Sequence, residues 1–377
     1  MSARAGSDVL VVGGGLVGTS AAFFLARRSQ RVTLLERCLV GQQASGTNFG
    51  NVRRQGRPAF EIPMANRALE SWRRMAELTG SDVEFLPRGH MRVCYRDRPQ
   101  TLERFHSYAA EVAPLGLRLE ILEGAALRER FPWLGPEVVA GSLSPDDGHA
   151  NPRLAAPAFA RAARCAGATL HEDVEVRGIL HDGRDFVVES GDGRGFAAPA
   201  LLLCAGAWSS GFSAAFGEPV PLVTRAPTMS VTEPVSYAIG PSIGVSTSEE
   251  RESVYFRQIP RGNVIIGGSI RGRSWTDERR APVVPENTLS QLAQLARLAP
   301  ALRRLNLIRV WSGVESYTPD DTPVIGASVR QPGLFYAFGF SGSGFQIGPG
   351  VGETMAELIA TGATPIDLTP YSVARFA

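Results

Sequence analysis

Gly13, Gly15 and Gly18 stand in the spacing that lets a chain turn tightly, approach a pyrophosphate with its backbone, and pack the next helix against the preceding strand. Leu16 and Val17 open that helix, where free N–H groups and the positive dipole end meet an anion. Downstream, the apolar run "RVTLLE" ends on Glu36, with Arg37 after it. A carboxylate at that strand end accepts hydrogen bonds from ribose hydroxyls and repels a 2′-phosphate. The pattern therefore reads as a site for a dinucleotide without that phosphate. Its context strengthens it. "DVLVV" before the glycines is a continuous apolar run, as a parallel strand buried on both faces requires, and "TSAAFFLARRS" after them supplies helix formers. Together they make one right-handed βαβ unit.

A second concentration of glycine lies near the other end, in "FYAFGFSGSGFQIGPGVGETMAELI". Gly339, Gly342 and Gly344 free the backbone to press against a flat ring, and Gly350 and Gly352 are expected to open a helix from about Pro349 to Ala360. A helix N-terminus aimed at a ring that gains negative charge on reduction favours that charge. Groups for a small substrate are scarcer. Arg53 and Arg54 suit a bidentate carboxylate clamp. Tyr255 and Arg257 on "VYFRQ", and Glu315 and Tyr317 ahead of a Thr-Pro-Asp turn, are further candidates. For each arginine a structural salt bridge competes with a substrate role. No nucleophilic triad or carboxylate pair stands out, which suits a reaction whose chemistry a cofactor carries.

These residues need elements to position them. At 377 residues the chain has room for two domains sharing a cofactor. Helices are expected over 58–79, 99–115, 152–166 and 286–299, with strand-like runs that include "VEFL", "HMRVCY", "VEVRGIL", "DFVVES", "ALLLCAGAW", "SVYFRQI" and "NVIIGGS". The order implies an α/β plus α+β protein: a Rossmann-like dinucleotide domain from 1–82, 145–220 and 319–377, and a discontinuous mixed-sheet substrate domain from 83–144 and 221–318. A hydrophobic content of 44% and a charged content of 20% fit an ordinary globular protein. The formal charge of +2, without a basic stripe, argues against nucleic acid. Four cysteines without CxxC spacing argue against a metal or iron–sulfur site and suit a reducing cytoplasm. No signal peptide or run of eighteen apolar residues is seen, so a soluble protein is expected.

Beyond the glycines, "GQQASGTNFGNVRRQGR" at 41–57, "LLLCAGAWS" at 201–209, "WSGVESYTPDDTPVIG" at 311–326 and the C-terminal run resemble the D-amino-acid oxidase superfamily of FAD enzymes. The resemblance is strongest to its glycine oxidase and sarcosine oxidase branch, and covers nearly the whole chain. It implies FAD, and it implies that Ser45, Asn48 and Asn51 lie near the flavin or pyrophosphate and that Val174 meets adenine. It further implies that Ala205, Gly206 and Trp208 line the cofactor, and that Gly339, Phe340, Ser341, Gly342, Gly344, Phe345 and Gln346 hold the isoalloxazine.

Departures from the family are informative. Gly313 falls where monomeric sarcosine oxidases attach FAD to a cysteine, so non-covalent FAD is expected. Ile265 falls where those enzymes carry a lysine that helps oxygen accept electrons, so slow reaction with oxygen is expected. Ser343 and Gln346 replace a histidine and a carboxylate-binding lysine in the family's glycine turn. Asn151 stands where a histidine anchors FMN in heterotetrameric sarcosine oxidase. These departures resemble the FAD-carrying (beta) subunits of sarcosine, proline or hydroxyproline, and opine dehydrogenases or oxidases, in which FMN or iron–sulfur groups come from partner subunits. The expected function is oxidation of the C–N bond of a small secondary amino acid or opine, by hydride transfer to the flavin and imine hydrolysis, in a hetero-oligomer. A self-contained glycine or D-amino-acid oxidase producing hydrogen peroxide, and a non-catalytic flavin-binding assembly protein, remain alternatives.

Overall fold

The computed structural model describes residues 6–377 except Ser246 and Ser248, so the first five residues of the expected N-terminal segment lie outside it. Val9–Val12 is buried on both faces at the centre of a six-stranded sheet. Ala200–Leu203 and Val32–Leu35 flank it, followed outward by Leu334–Phe338 and Thr169–His171, all parallel. Val324–Ala327 closes one edge antiparallel. The helix Leu16–Ala26 is buried along its whole length, and its two hydroxyls, Thr19 and Ser20, donate back to carbonyls of Gly15 and Leu16. Two long helices, Pro152–Cys165 and Gly344–Thr361, pack against it.

The last of these begins at Gly344, five residues before the expected start at Pro349. Gly350 and Gly352 therefore lie inside it and have a different job from opening it. A Cβ on Gly350 would come within 2.8 Å of the Ala68 backbone nitrogen, and one on Gly352 within 2.1 Å of Ser20 Oγ. They are the points where neighbouring helices touch. The "VEFL" run is not a strand either. Glu84 takes a positive φ of 55°, which breaks the extended chain, and only Leu86 bridges to His149.

A larger sheet of nine strands is built from the chain between His90 and Tyr317. Its main path runs Leu307–Ser312, Val223–Pro234, Asn263–Gly272, Val254–Gln258, Ser242–Val245, His90–Tyr95, Val138–Ser144, Glu120–Glu123. Most pairs are antiparallel, but Ser242–Val245 joins His90–Tyr95 in parallel. Val264 and Ile266 share a core with Leu295 and Leu298 of the helix Pro285–Leu298. The alternate positions of the same strand are left for the opposite face. Among the described residues no helix is long and apolar enough to cross a membrane.

Candidate active site

The glycine turn has the geometry its spacing implies. Gly13 has φ +111°, and a Cβ there would lie 2.4 Å from the Cys204 carbonyl oxygen. A Cβ on Gly18 would lie 1.9 Å from the Gly13 oxygen, so this residue fixes how closely the helix meets the turn and does not itself face the site. The Leu16 N–H donates to Ser45 Oγ at 2.8 Å. Both oxygens of Glu36 accept backbone hydrogen bonds, from Gly14 at 2.7 Å and Cys38 at 2.8 Å. The Arg37 guanidinium stacks over Trp208, 4.2 Å from its ring centroid.

A cavity of about 900 Å³ joins this turn to the large sheet. Gly13, Gly15, Leu16, Val17, Glu36, Arg37 and Val174 line it beside the first sheet, and Ala205, Gly206 and Trp208 continue the wall. Ser45, Asn48, Asn51, Arg53, Tyr255 and Glu315 face it, as do Phe340, Ser341, Gly342, Gly344, Phe345 and Gln346. The volume suits a dinucleotide better than a lone small substrate. A glycine turn that admits no Cβ, set on the cavity wall at the N-terminus of the helix Leu16–Ala26, is a cradle for a pyrophosphate, so the residues present fit FAD.

Several expected residues lie elsewhere. Gly339 turns the chain at φ +74° and packs on Thr318 instead of facing the cavity. Gly313 is also behind the wall: a Cβ there would lie 2.0 Å from Thr47 Oγ1, so any side chain at this position meets Thr47 first. Arg54 is no clamp. Its Nε donates to Asp147 at 2.9 Å and its Nη1 to Asn66 at 2.9 Å, away from the cavity. Arg257 is also structural: Nε donates to the Phe49 carbonyl at 2.8 Å and Nη1 lies 3.0 Å from His149 Nδ1, with the Phe49–Gly50 backbone over it. Tyr317 lines a smaller adjoining cavity of about 350 Å³. Its hydroxyl donates to Glu315 Oε2 at 2.8 Å and accepts from Arg271 Nε at 3.0 Å. Asn151 caps the helix Pro152–Cys165. Ile265 is not on the cavity wall, so the expectation of slow oxygen reaction loses its footing; the cation reaching the cavity from that strand is Arg271.

The substrate-side wall also holds groups outside the candidates named from sequence: Arg57, His90, Arg92 and Arg271. His90 and Arg92 sit two apart on a strand whose intervening residue, Met91, is fully buried. That one-sided polarity was the available signal. His90 Nδ1 lies 2.9 Å from Gln55 Oε1, and burial with the nearby Arg53 and Arg92 charges pushes the imidazole well below its ordinary pKa. It is neutral near pH 7. Arg57 pairs with Glu61 at 2.9 Å and donates Nη2 to the Ser343 carbonyl at 2.8 Å, tying the arginine segment to the glycine-rich loop. Burial lowers Arg53 to about 10, with Arg57 and Arg92 adding to the effect, and burial also lowers Arg92. Burial works against the charge of Arg271, but Tyr255, Tyr317 and Glu315 outweigh it and raise its pKa. The Tyr255 ring covers Gly267, where a Cβ would approach Cε2 to 2.2 Å.

Comparison with known proteins accords with this geometry. The chain is 28% identical to a glycine oxidase of Geobacillus kaustophilus (strain HTA426), across 98% of this chain and 97% of that one. It is 27% identical to one of the subunits of an opine oxidase from Agrobacterium tumefaciens (strain Ach5), with the same coverage. The crystal structure of L-proline dehydrogenase from P. horikoshii superposes with a TM-score of 0.91 at 27% identity, covering 99% of this chain and 98% of that one. A family model described as FAD dependent oxidoreductase matches residues 8–358. The chain belongs to this DAO family of FAD-dependent oxidoreductases.

Proposed function

We propose that this FAD-dependent oxidoreductase oxidises the carbon–nitrogen bond of a small amino acid, with a secondary amine as the preferred group. The observation that carries the reading is the Arg53 guanidinium, which among the described residues has no carboxylate partner and faces the cavity beside the glycine-rich loop that fits a flavin. Its Nη1 is steadied by the Gln55 carbonyl at 2.7 Å, and the rest of the fork is free for a substrate carboxylate. Arg57 keeps that clamp in register with the loop through Ser343. Glu315, one oxygen of which accepts the Tyr317 hydroxyl, keeps the other for the substrate's amine. Tyr255 and the neutral His90 complete the wall without adding charge. FAD bound here would supply the two-electron oxidation of the C–N bond at the carbon α to the carboxylate. Water then splits the resulting imine into an amine and an oxo acid, while the chain's part is orientation and electrostatics.

Two finer assignments accompany this reading. The FAD-binding domain comprises 1–82, 145–220 and 319–377 and the substrate domain 83–144 and 221–318; the support is that the six-stranded sheet draws its strands from the first set and the nine-stranded sheet from the second. The chain works as one subunit of a hetero-oligomer that passes electrons onward; the support is its similarity to a protein named as an opine oxidase subunit.

Anaerobic addition of secondary amino acids to purified protein should bleach the flavin absorbance within the mixing time of a manual assay, whereas matched simple amines without a carboxylate should act far more slowly. No bleaching with any amino acid would remove the proposal. Acid precipitation should leave the yellow colour in the supernatant, because the position that would carry a covalent link, Gly313, is turned to Thr47. Flavin retained in the pellet would show a bond to some other residue.

A further inference from the structure

On the substrate-side wall, among the described residues, two cations have neither a carboxylate partner nor a hydrogen-bonded link to one. Arg57 is neutralised by Glu61. Arg271 is linked through Tyr317 to Glu315. His90 is neutral, and Tyr108, whose pKa burial raises, is a neutral phenol at pH 7 that donates to the Arg57 carbonyl at 2.8 Å. Asp147, the carboxylate nearest the arginine segment, is taken by Arg54 at 2.9 Å. Arg53 and Arg92 remain. Among the described residues neither forms an ion pair, and no side-chain hydrogen bond of Arg92 to the protein is found. The two forks converge on Gly56, where a Cβ would lie 2.7 Å from Arg92 Nη1 and 3.6 Å from Arg53 Nη1.

We infer that Arg92 is a second anion clamp, and that the preferred substrate is an amino acid carrying a second carboxylate, such as an imino diacid. The inference rests on the amine-oxidation reading and deepens it. A carboxylate offers two oxygens, and the planar fork of one arginine takes both in a bidentate pair. One carboxylate on Arg53 therefore leaves Arg92 unpaired in a walled cavity, where an uncompensated charge is costly. A second carboxylate a few bonds from the first meets the second fork. Both arginine pKa values are lowered, chiefly by burial, with Arg57 and Arg92 adding to the effect on Arg53 and Arg104 to that on Arg92, a direction that a bound dianion would reverse.

The test compares N-methylglycine with iminodiacetate as substrates of the holoenzyme, and propionate with glutarate as non-oxidisable ligands read by flavin absorbance and by melting temperature. A second charged hydrogen-bonded contact should favour each diacid about ten- to a hundred-fold over its one-carboxylate counterpart. Glutarate should raise the melting temperature where propionate at equal concentration does not. Arg92→Gln should collapse the ratio between diacid and monoacid, and Arg92→Lys should restore part of it by returning the charge. Both variants are read as ratios within one protein preparation, so a general loss of stability does not imitate the result. Equal affinity for the two classes, or a ratio unmoved by Arg92→Gln, would overturn the inference. If no amine bleaches the flavin while glutarate still binds through Arg92, the amine reading fails and the two-anion site stands.

Discussion

Gly18→Ala is expected to yield a chain that purifies without flavin. The added Cβ would sit 1.9 Å from the Gly13 carbonyl oxygen and 2.9 Å from Cys204 Sγ. The first neighbour is backbone and cannot rotate aside. Either the helix Leu16–Ala26 withdraws from the turn or the turn opens, and each moves the Gly15 backbone and the Leu16 N–H out of place. The helix is buried along its full length, so withdrawal also disturbs its contacts with two other helices. Overpacking of this severity costs about 3 kcal/mol or more, which corresponds to roughly a hundred-fold loss of cofactor affinity if the holoprotein bears it. Gly195→Ala is the matched control, since its Cβ meets nothing within 4 Å. The measurement is the ratio of flavin to protein absorbance, with urea unfolding of both apoproteins. Full flavin content in Gly18→Ala would mean that the turn tolerates a displacement its geometry forbids.

The same turn shows what can be read from sequence and what cannot. Gly13, Gly15 and Gly18 are constrained by neighbours close along the chain or in the adjoining strand, so their spacing carries the geometry. Many of the glycine-motif residues line the cavity for the same reason, because short glycine-rich runs between a strand and a helix leave few ways to fold. Gly350 and Gly352 were misread because their partners, Ala68 and Ser20, are hundreds of residues away. A glycine at a helix crossing looks the same in sequence as one at a helix start. The substrate side was least legible. Arg53 and Arg54 are consecutive, and Tyr255 and Arg257 share one face of a strand, yet only one of each pair reaches the cavity. Asp147 and the Phe49 carbonyl make that choice, and both come from distant segments. Arg92 arrives from a strand that the glycine motifs do not point to at all.

Arg53→Ala and Arg54→Ala should separate function from stability at adjacent positions. The Arg54 side chain is 5% exposed and its partner Asp147 is wholly buried, with the Arg54 and Gln55 backbone N–H groups also donating to that carboxylate. Removing Arg54 strips a buried carboxylate of its counter-charge, an event that typically costs about 3–5 kcal/mol. That variant should melt many degrees lower and lose activity only in proportion to the unfolded fraction. Among the described residues Arg53 has no carboxylate partner to strand. Its removal deletes a desolvated cation, so the fold should hold or gain slightly and FAD should stay bound. Its loss should appear instead in KM for carboxylate substrates, raised about ten- to a hundred-fold for a charged hydrogen-bonded contact worth roughly 1.5–3 kcal/mol. Thermal melts and steady-state kinetics on the two variants decide the matter. If Arg53→Ala keeps its KM while Arg54→Ala raises it with an unchanged melting temperature, the two roles have been assigned the wrong way round.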